Sequence, residues 1–344
     1  MNIKSSIKST CIYVLLIFVV FAMLMREADP AAIIAAVKGA NIAMLTAGLA
    51  FMILAVSCEG FNLKKLLKVL NHDKPLHTCM RYAFAGHYFT SVTPGASGGQ
   101  PAQLYYMSKD GIPVGSASVA LLMYNMSYHA AVVGIYTAVF LFRGSLISEM
   151  IGAFKLLLAA GFAIHVFLLA FFLAIIFRPG MIVSLGSFLT RLFGKIKFIK
   201  NPQKIENALL SYTGHYRESA DYIKSSLSIF LRILPVTFFQ VAVIFSVPFF
   251  IFRAFGLAGF NMLDLLALQG SVIIIADAVP MPGGVGISEA AISSVYAQVF
   301  GAFILPSVIL CRLIGYYLPV AVSGIMTVAL SGKHGCKSSP DSHV

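Results

Sequence analysis

Tryptophan is absent from this 344-residue chain, and charge is scarce. Asp, Glu, Lys and Arg together make up 11% of the residues, whereas soluble domains carry about 25%. With 59% hydrophobic residues and a mean hydropathy of +0.88, a soluble globular domain is excluded and an integral membrane protein is expected. Acidic residues are the scarcer sign, 13 against 25 basic, for a net charge of +12. The basic residues gather in links between apolar runs. They read as cytoplasmic loops facing anionic lipid, and nucleic acid is not expected as a partner.

Cysteine is sparse too. Cys11, Cys58, Cys79, Cys311 and Cys336 are scattered and form no C-x-x-C pair, which argues against a disulfide framework or a zinc site. No G-x-x-x-x-G-K-[ST], G-x-S-x-G or H-E-x-x-H motif occurs. ATP-driven transport and the corresponding hydrolases are therefore unsupported, and no cofactor or metal is expected.

What the chain does have is long apolar runs, near 9–25, 39–60, 82–108, 114–142, 150–177, 227–256, 262–300 and 302–330. A spanning helix needs about 20 apolar residues, so these runs predict an all-α, polytopic helical bundle rather than an outer-membrane barrel. Lys4 and Lys8 precede the first run in the manner of a signal peptide, but no A-x-A site closes it, so it is read as a retained span. Lys64, Lys65, Lys68, Lys74 and Arg81 follow the second run. Arg178, Arg191, Lys195, Lys197, Lys200, Lys204 and Arg217 fill the link at 178–226, and Lys333 and Lys337 lie in the tail. The positive-inside rule puts these groups and both termini in the cytoplasm of a cell-membrane protein.

Parity then singles out two runs. Three apolar runs separate the basic link near 64–81 from the one at 178–226, and three more separate 226 from the tail. Both counts balance if 82–108 and 262–300 enter and leave on one side, as re-entrant hairpins broken at "TPGASGGQPAQ" (93–103) and "VPMPGGVGISEA" (279–290). The alternative is an interrupted helix that still crosses. With re-entry, 31–142 and 227–330 become inverted repeats in one domain (1–333), an architecture of alternating-access carriers. The link at 178–226 reads as a basic amphipathic helix on the inner leaflet, an anchor or a collector of anionic lipid. The tail, 334–344, is expected to be disordered.

Each break offers polar groups at membrane depth. Pro94 and Gly95 end one half-helix, Ser97 or Gly98 can cap the next, and Pro101 suits a first turn. With Gly99, Gln100 and Gln103, this half-helix start is a candidate anion site for a phosphate. The other reading is a kink whose glycines permit close packing. In the second break Pro280 and Pro282, then Gly283, Gly284 and Gly286, precede Ser288 as candidate N-cap and Glu289. Arg312 is the natural counter-charge for Glu289, or a bidentate ligand for a lipid phosphate.

Asp277 is a candidate for proton coupling or for bonding the hairpin backbone, and His87 for proton relay, headgroup contact or a structural bond. Glu59 and Arg81 are expected to pair. His129, Lys155, His165 and Gln240 read as isolated.

"TPGASGGQPAQ", followed far downstream by "PMPGGVGISEA" and "RLIGYYLP", resembles the flippase-like transmembrane domain of lysylphosphatidylglycerol synthases, the membrane half of the multiple peptide resistance factor. The resemblance covers about residues 10–330. It implies movement of aminoacylated phosphatidylglycerol or polyprenyl-linked lipids between leaflets. By motif match it also implies a central cavity at Pro94, Gly95, Gly98, Gly99, Pro282, Gly283, Gly284, Gly286, Glu289 and Arg312. Gln100 stands where the family leads one to expect an acidic residue. Full-length members add a cytoplasmic aminoacyltransferase domain, and no counterpart of it is read here. The expectation is thus a secondary lipid translocase, with a separate aminoacyltransferase or glycosyltransferase as possible partner. The alternative is a phosphatidylglycerol lysyltransferase or its membrane subunit.

Overall fold

A computed structural model describes residues 30–177 and 227–331. The expected first span, the amphipathic link at 178–226 and the tail at 334–344 lie outside the described residues. Among the described residues all regular structure is helical. After α1 (Pro30–Gly39) come α2 (Ile42–Val69), α3 (Leu76–Val92), α4 (Gly99–Lys109), α5 (Val114–Met150) and α6 (Lys155–Phe177). The second part holds α7 (Leu227–Ala254), α8 (Met262–Asp277), α9 (Ile287–Val295), α10 (Ala297–Phe300), α11 (Ile304–Arg312), a π-helical turn (Leu313–Tyr317) and α12 (Leu318–Ser331).

Among the described residues, five stretches are long and apolar enough to cross a membrane: Ile42–Val69, Val114–Met150, Gly152–Ile175, Ser228–Ala254 and Ala297–Ala329. They coincide with five of the apolar runs. The chain is a multi-pass helical membrane protein. By contrast α3, α4, α8 and α9 have 17, 11, 16 and 9 residues, each short of the ~20 a span requires. They pair through the two Pro/Gly breaks as helix–turn–helix hairpins.

The hairpins run in opposed directions, as the packing shows. Gly48 lies against Phe250 and Asn62 bonds Thr237, so α2 and α7 are antiparallel. α3 turns back along α2, with Met80 against Gly60. α8 turns back along α7, with Gly270 against Phe245 and Phe260 against Phe252. Hence α3 follows the direction of α7 and α8 opposes it. At their ends the two breaks meet: a Cβ on Gly95 would lie 3.7 Å from Pro280 Cβ.

Ion pairs fix the hairpins at their far ends. Arg81, in the second turn of α3, pairs with Asp110 just past α4, and Tyr82 donates its hydroxyl to the same carboxylate at 2.5 Å. Lys74 Nζ donates to Asp110 O at 2.8 Å. Glu59 is thus not the partner of Arg81, contrary to expectation. It accepts from Gln103 instead, because the closed hairpin sets Asp110, just past α4, against Arg81. In the second hairpin Asn261 caps α8 and Arg143 Nε donates to Asp264 Oδ1 at 2.5 Å.

Candidate functional site

The two breaks share a backbone conformation. After Pro94 and Pro282, Gly95 has φ 59°, ψ 28° and Gly283 φ 58°, ψ 17°. Ala96 and Gly284 follow at φ 56° and 62°. Two successive left-handed residues reverse the chain within a short turn, and an L side chain there costs about 1–2 kcal/mol. Glycine fits three of the four positions; Ala96 carries the strain.

The glycines then divide by role. A Cβ on Gly98 would meet Thr93 and Phe89 O at 2.6–2.9 Å, and one on Gly99 would meet Thr90 and Gly86 O at 1.9–2.9 Å. Gly98 and Gly99 therefore serve close packing within the first hairpin. Gly286, by contrast, has nothing within 4 Å of the added carbon. Gly95, Ser97, Gln100 and Gly286 are exposed at the meeting point, and Gly283, Gly284 and Pro282 are half-buried.

Capping differs between the two return helices. Gly98 is the N-cap of α4 with no side-chain bond to the helix start, and its own N–H donates to Thr93 Oγ1 at 2.8 Å. In the second hairpin the N-cap is Gly286, not Ser288, which is buried within the first turn of α9. The reason is Glu289: its Oε2 accepts from Gly286 N–H at 2.6 Å, so the helix start already holds a carboxylate.

Glu289 and Arg312 form a buried ion pair. Arg312 Nε donates to Glu289 Oε1 at 2.8 Å, with side chains 5% and 8% exposed respectively. Arg312 Nη2 donates to Gly283 O at 3.0 Å. Its guanidinium lies 4.5 Å from the Tyr316 ring and 5.2 Å from the Tyr317 ring. The π-helical turn accounts for that double contact, since the widened turn brings residues four and five beyond Arg312 onto one face. Tyr316 also donates to Ser91 O at 2.7 Å, tying this cluster to the last turn of α3.

Other candidates lie elsewhere. Gln103 is buried and bonds Glu59 and Tyr82 O, so it anchors α4 rather than facing the breaks. His87 Nε2 is buried with no hydrogen-bond partner among the described residues. Asp277 does not stand alone: His165 Nε2 is 3.2 Å from its Oδ2, and His165 Nδ1 is 2.9 Å from His129 Nδ1. Both histidines, isolated in the sequence, are thus brought into one chain with Asp277. Gln240 likewise bonds the Tyr124 hydroxyl at 2.9 Å. The tyrosine pair after Arg312 was visible in "RLIGYYLP"; the histidines, 36 residues apart, left no spacing signal.

Two hairpins whose breaks touch, packed against long apolar helices, define a multi-pass helical membrane protein. The sequence profile of the lysylphosphatidylglycerol synthase transmembrane region matches residues 11–323, and the chain belongs to that family. No curated protein matches it at a significant level. The family carries a membrane lipid-related role.

Proposed function

We propose that this protein is a secondary lipid translocase of the cell membrane, moving an anionic phospholipid or polyprenyl-phosphate lipid between leaflets. The hairpins are read as re-entrant, dipping from opposite faces, and the two halves as inverted repeats with both termini in the cytoplasm. The observation that carries this reading is the contact of two conformationally matched breaks, Gly95 against Pro280. Irregular backbone at membrane depth is tolerated only when buried in protein or lining a wet path.

The asymmetry of capping assigns roles. Glu289 occupies the start of α9, whereas α4 begins without a carboxylate and exposes Gln100 beside Gly98. A headgroup phosphate therefore docks at the start of α4, with the helix dipole and amide hydrogens. Arg312 acts through Glu289 and Gly283 as a positioning residue that shapes the facing break. A separate aminoacyltransferase or glycosyltransferase supplies the modified lipid.

Full-length protein in liposomes with fluorescent phosphatidylglycerol tests this. Wild type is expected to expose the inner-leaflet probe to an external quencher faster than empty liposomes. Gly284→Leu with Arg312→Ala is expected to return the rate to that background. Equal rates for wild type and variant would refute the mechanism, and lysylated lipid in cells expressing this chain alone would favour a synthase.

A further inference from the structure

The mechanism above leaves His129, His165 and Asp277 without a task. They come from α5, α6 and α8 and form a hydrogen-bonded row of two buried imidazoles and a half-exposed carboxylate, and burying imidazoles in a membrane bundle is costly. Gly161 makes it possible. A Cβ there would fall 2.0 Å from Ile274 O, so only glycine lets α6 lie against the α8 backbone. One turn further along both helices, that approach sets His165 against Asp277.

The row has a defined polarity. With Asp277 ionised, His165 donates from Nε2 to the carboxylate, and its Nδ1 must accept. His129 therefore donates from Nδ1, which leaves the lone pair of His129 Nε2 as the open end. A proton arriving at His129 Nε2 sends the Nδ1 proton to His165 Nδ1. The His165 Nε2 proton then passes to Asp277. Every proton is accounted for: one enters, both imidazoles stay neutral with exchanged tautomers, and the carboxylate becomes the acid.

Asp277 is the last residue of α8, immediately before the second break. Its side chain is 47% exposed while His165 is 4% exposed, so the row runs from the core to the hairpin tip. As an anion Asp277 straps the end of α8 to α6 by a charge-assisted bond, against the negative end of its own helix dipole. As an acid it keeps only a neutral bond. Other ionisable groups near the row are Tyr128 on α5, within electrostatic reach of Asp277, and Glu59 on α2 behind Tyr128. On α9 Glu289 is taken up by Arg312 and Gly286. α7 has no Asp, Glu, His, Lys, Arg, Cys or Tyr between Arg232 and Arg253.

We propose that His129, His165 and Asp277 form a proton-binding relay whose loading loosens the strap between α6 and the second hairpin. Its use in driving lipid movement rests on the translocase reading; the relay itself does not.

The test uses the full chain in nanodiscs of phosphatidylglycerol and phosphatidylcholine. Nitrogen NMR of labelled histidine is expected to show the His165 and His129 tautomers exchanging, without imidazolium signals, as pH falls from about 7 to about 3, spanning the usual carboxylate range, because Asp277 is the group that ends up protonated. Over the same range amide exchange at 278–286, corrected for intrinsic rate, is expected to rise about tenfold, the scale of trading a charged hydrogen bond for a neutral one. Asp277→Asn is expected to exchange fast at both pH values, and His165→Gln to lose the dependence. Wild-type tautomers and exchange that ignore pH would overturn the relay without any reference to lipid. A relay that titrates in a protein that moves no lipid would uphold the relay and reject the translocase.

Discussion

Arg312 Nε lies 2.8 Å from Glu289 Oε1, and the same guanidinium reaches Gly283 O at 3.0 Å. One side chain thus holds both the left-handed turn and the helix that follows it. Losing one partner leaves an uncompensated buried charge, which costs about 3–5 kcal/mol. Arg312→Met and Glu289→Gln are each expected to lower thermal stability in detergent steeply. The apolar double variant Glu289→Leu with Arg312→Met is expected to lose far less than the sum. Thermal unfolding across the double-mutant cycle checks this.

Gly283 and Gly256 make a matched comparison. Both have positive φ, 58° and 70°, but a Cβ on Gly283 would strike Tyr316 Oη at 1.8 Å, whereas Gly256 has nothing within 4 Å. Gly256→Ala is expected to cost about 1–2 kcal/mol, the left-handed penalty alone. Gly283→Ala is expected to cost clearly more and to displace Tyr316 from Ser91. Unfolding midpoints and lipid translocation distinguish the two.

Gly161→Ala tests helix approach. Its Cβ would fall 2.0 Å from Ile274 O, so α6 and α8 must part and His165 must leave Asp277. Reduced stability together with loss of the pH response in hydrogen exchange at 278–286 is the expected result. Gly144→Ala, where the nearest atom is 3.7 Å away, serves as the control.

Asn62 Nδ2 donates to Thr237 Oγ1 at 2.9 Å, fully buried between α2 and α7. Polar bonds between membrane helices average about 0.6 kcal/mol and reach about 1.7. Asn62→Leu is therefore expected to shift the unfolding midpoint by a few degrees at most.

His72 lies in the link between α2 and α3, with Nε2 3.3 Å from Ser116 Oγ. Burial, and then the charge of Lys74, hold its pKa below the usual 6.5. The unfolded chain binds that proton more tightly, so the contribution of His72 is full above about pH 6.5 and is lost as pH falls through the lower folded-state pKa. His72→Gln is expected to lose less stability than wild type on acidification from about pH 7 to about pH 5. Unfolding midpoints measured along that range check the difference.

The spans were legible because about 20 uncharged residues in a row have few stable alternatives to a membrane helix. The breaks were legible because Pro and Gly cluster there beyond what a kink needs, and Glu289 invited Arg312 as its counter-charge. Arg81 was misassigned to Glu59 because both sit near one face, while the hairpin's closure, which selects Asp110, is a tertiary event. Ser288 was expected to cap α9, but Glu289 reaches back to Gly286 and starts the helix two residues earlier.

Hydropathy, charge placement and backbone-specific residues therefore determined the class of this protein, its helical spans and the two places where helices stop, since each depends on local solvation and local sterics. The meeting of Gly95 with Pro280, and the row from His129 through His165 to Asp277, were decided only by the tertiary structure. Residues 112 positions apart become neighbours through helix packing, here through the space left by the missing Cβ of Gly161.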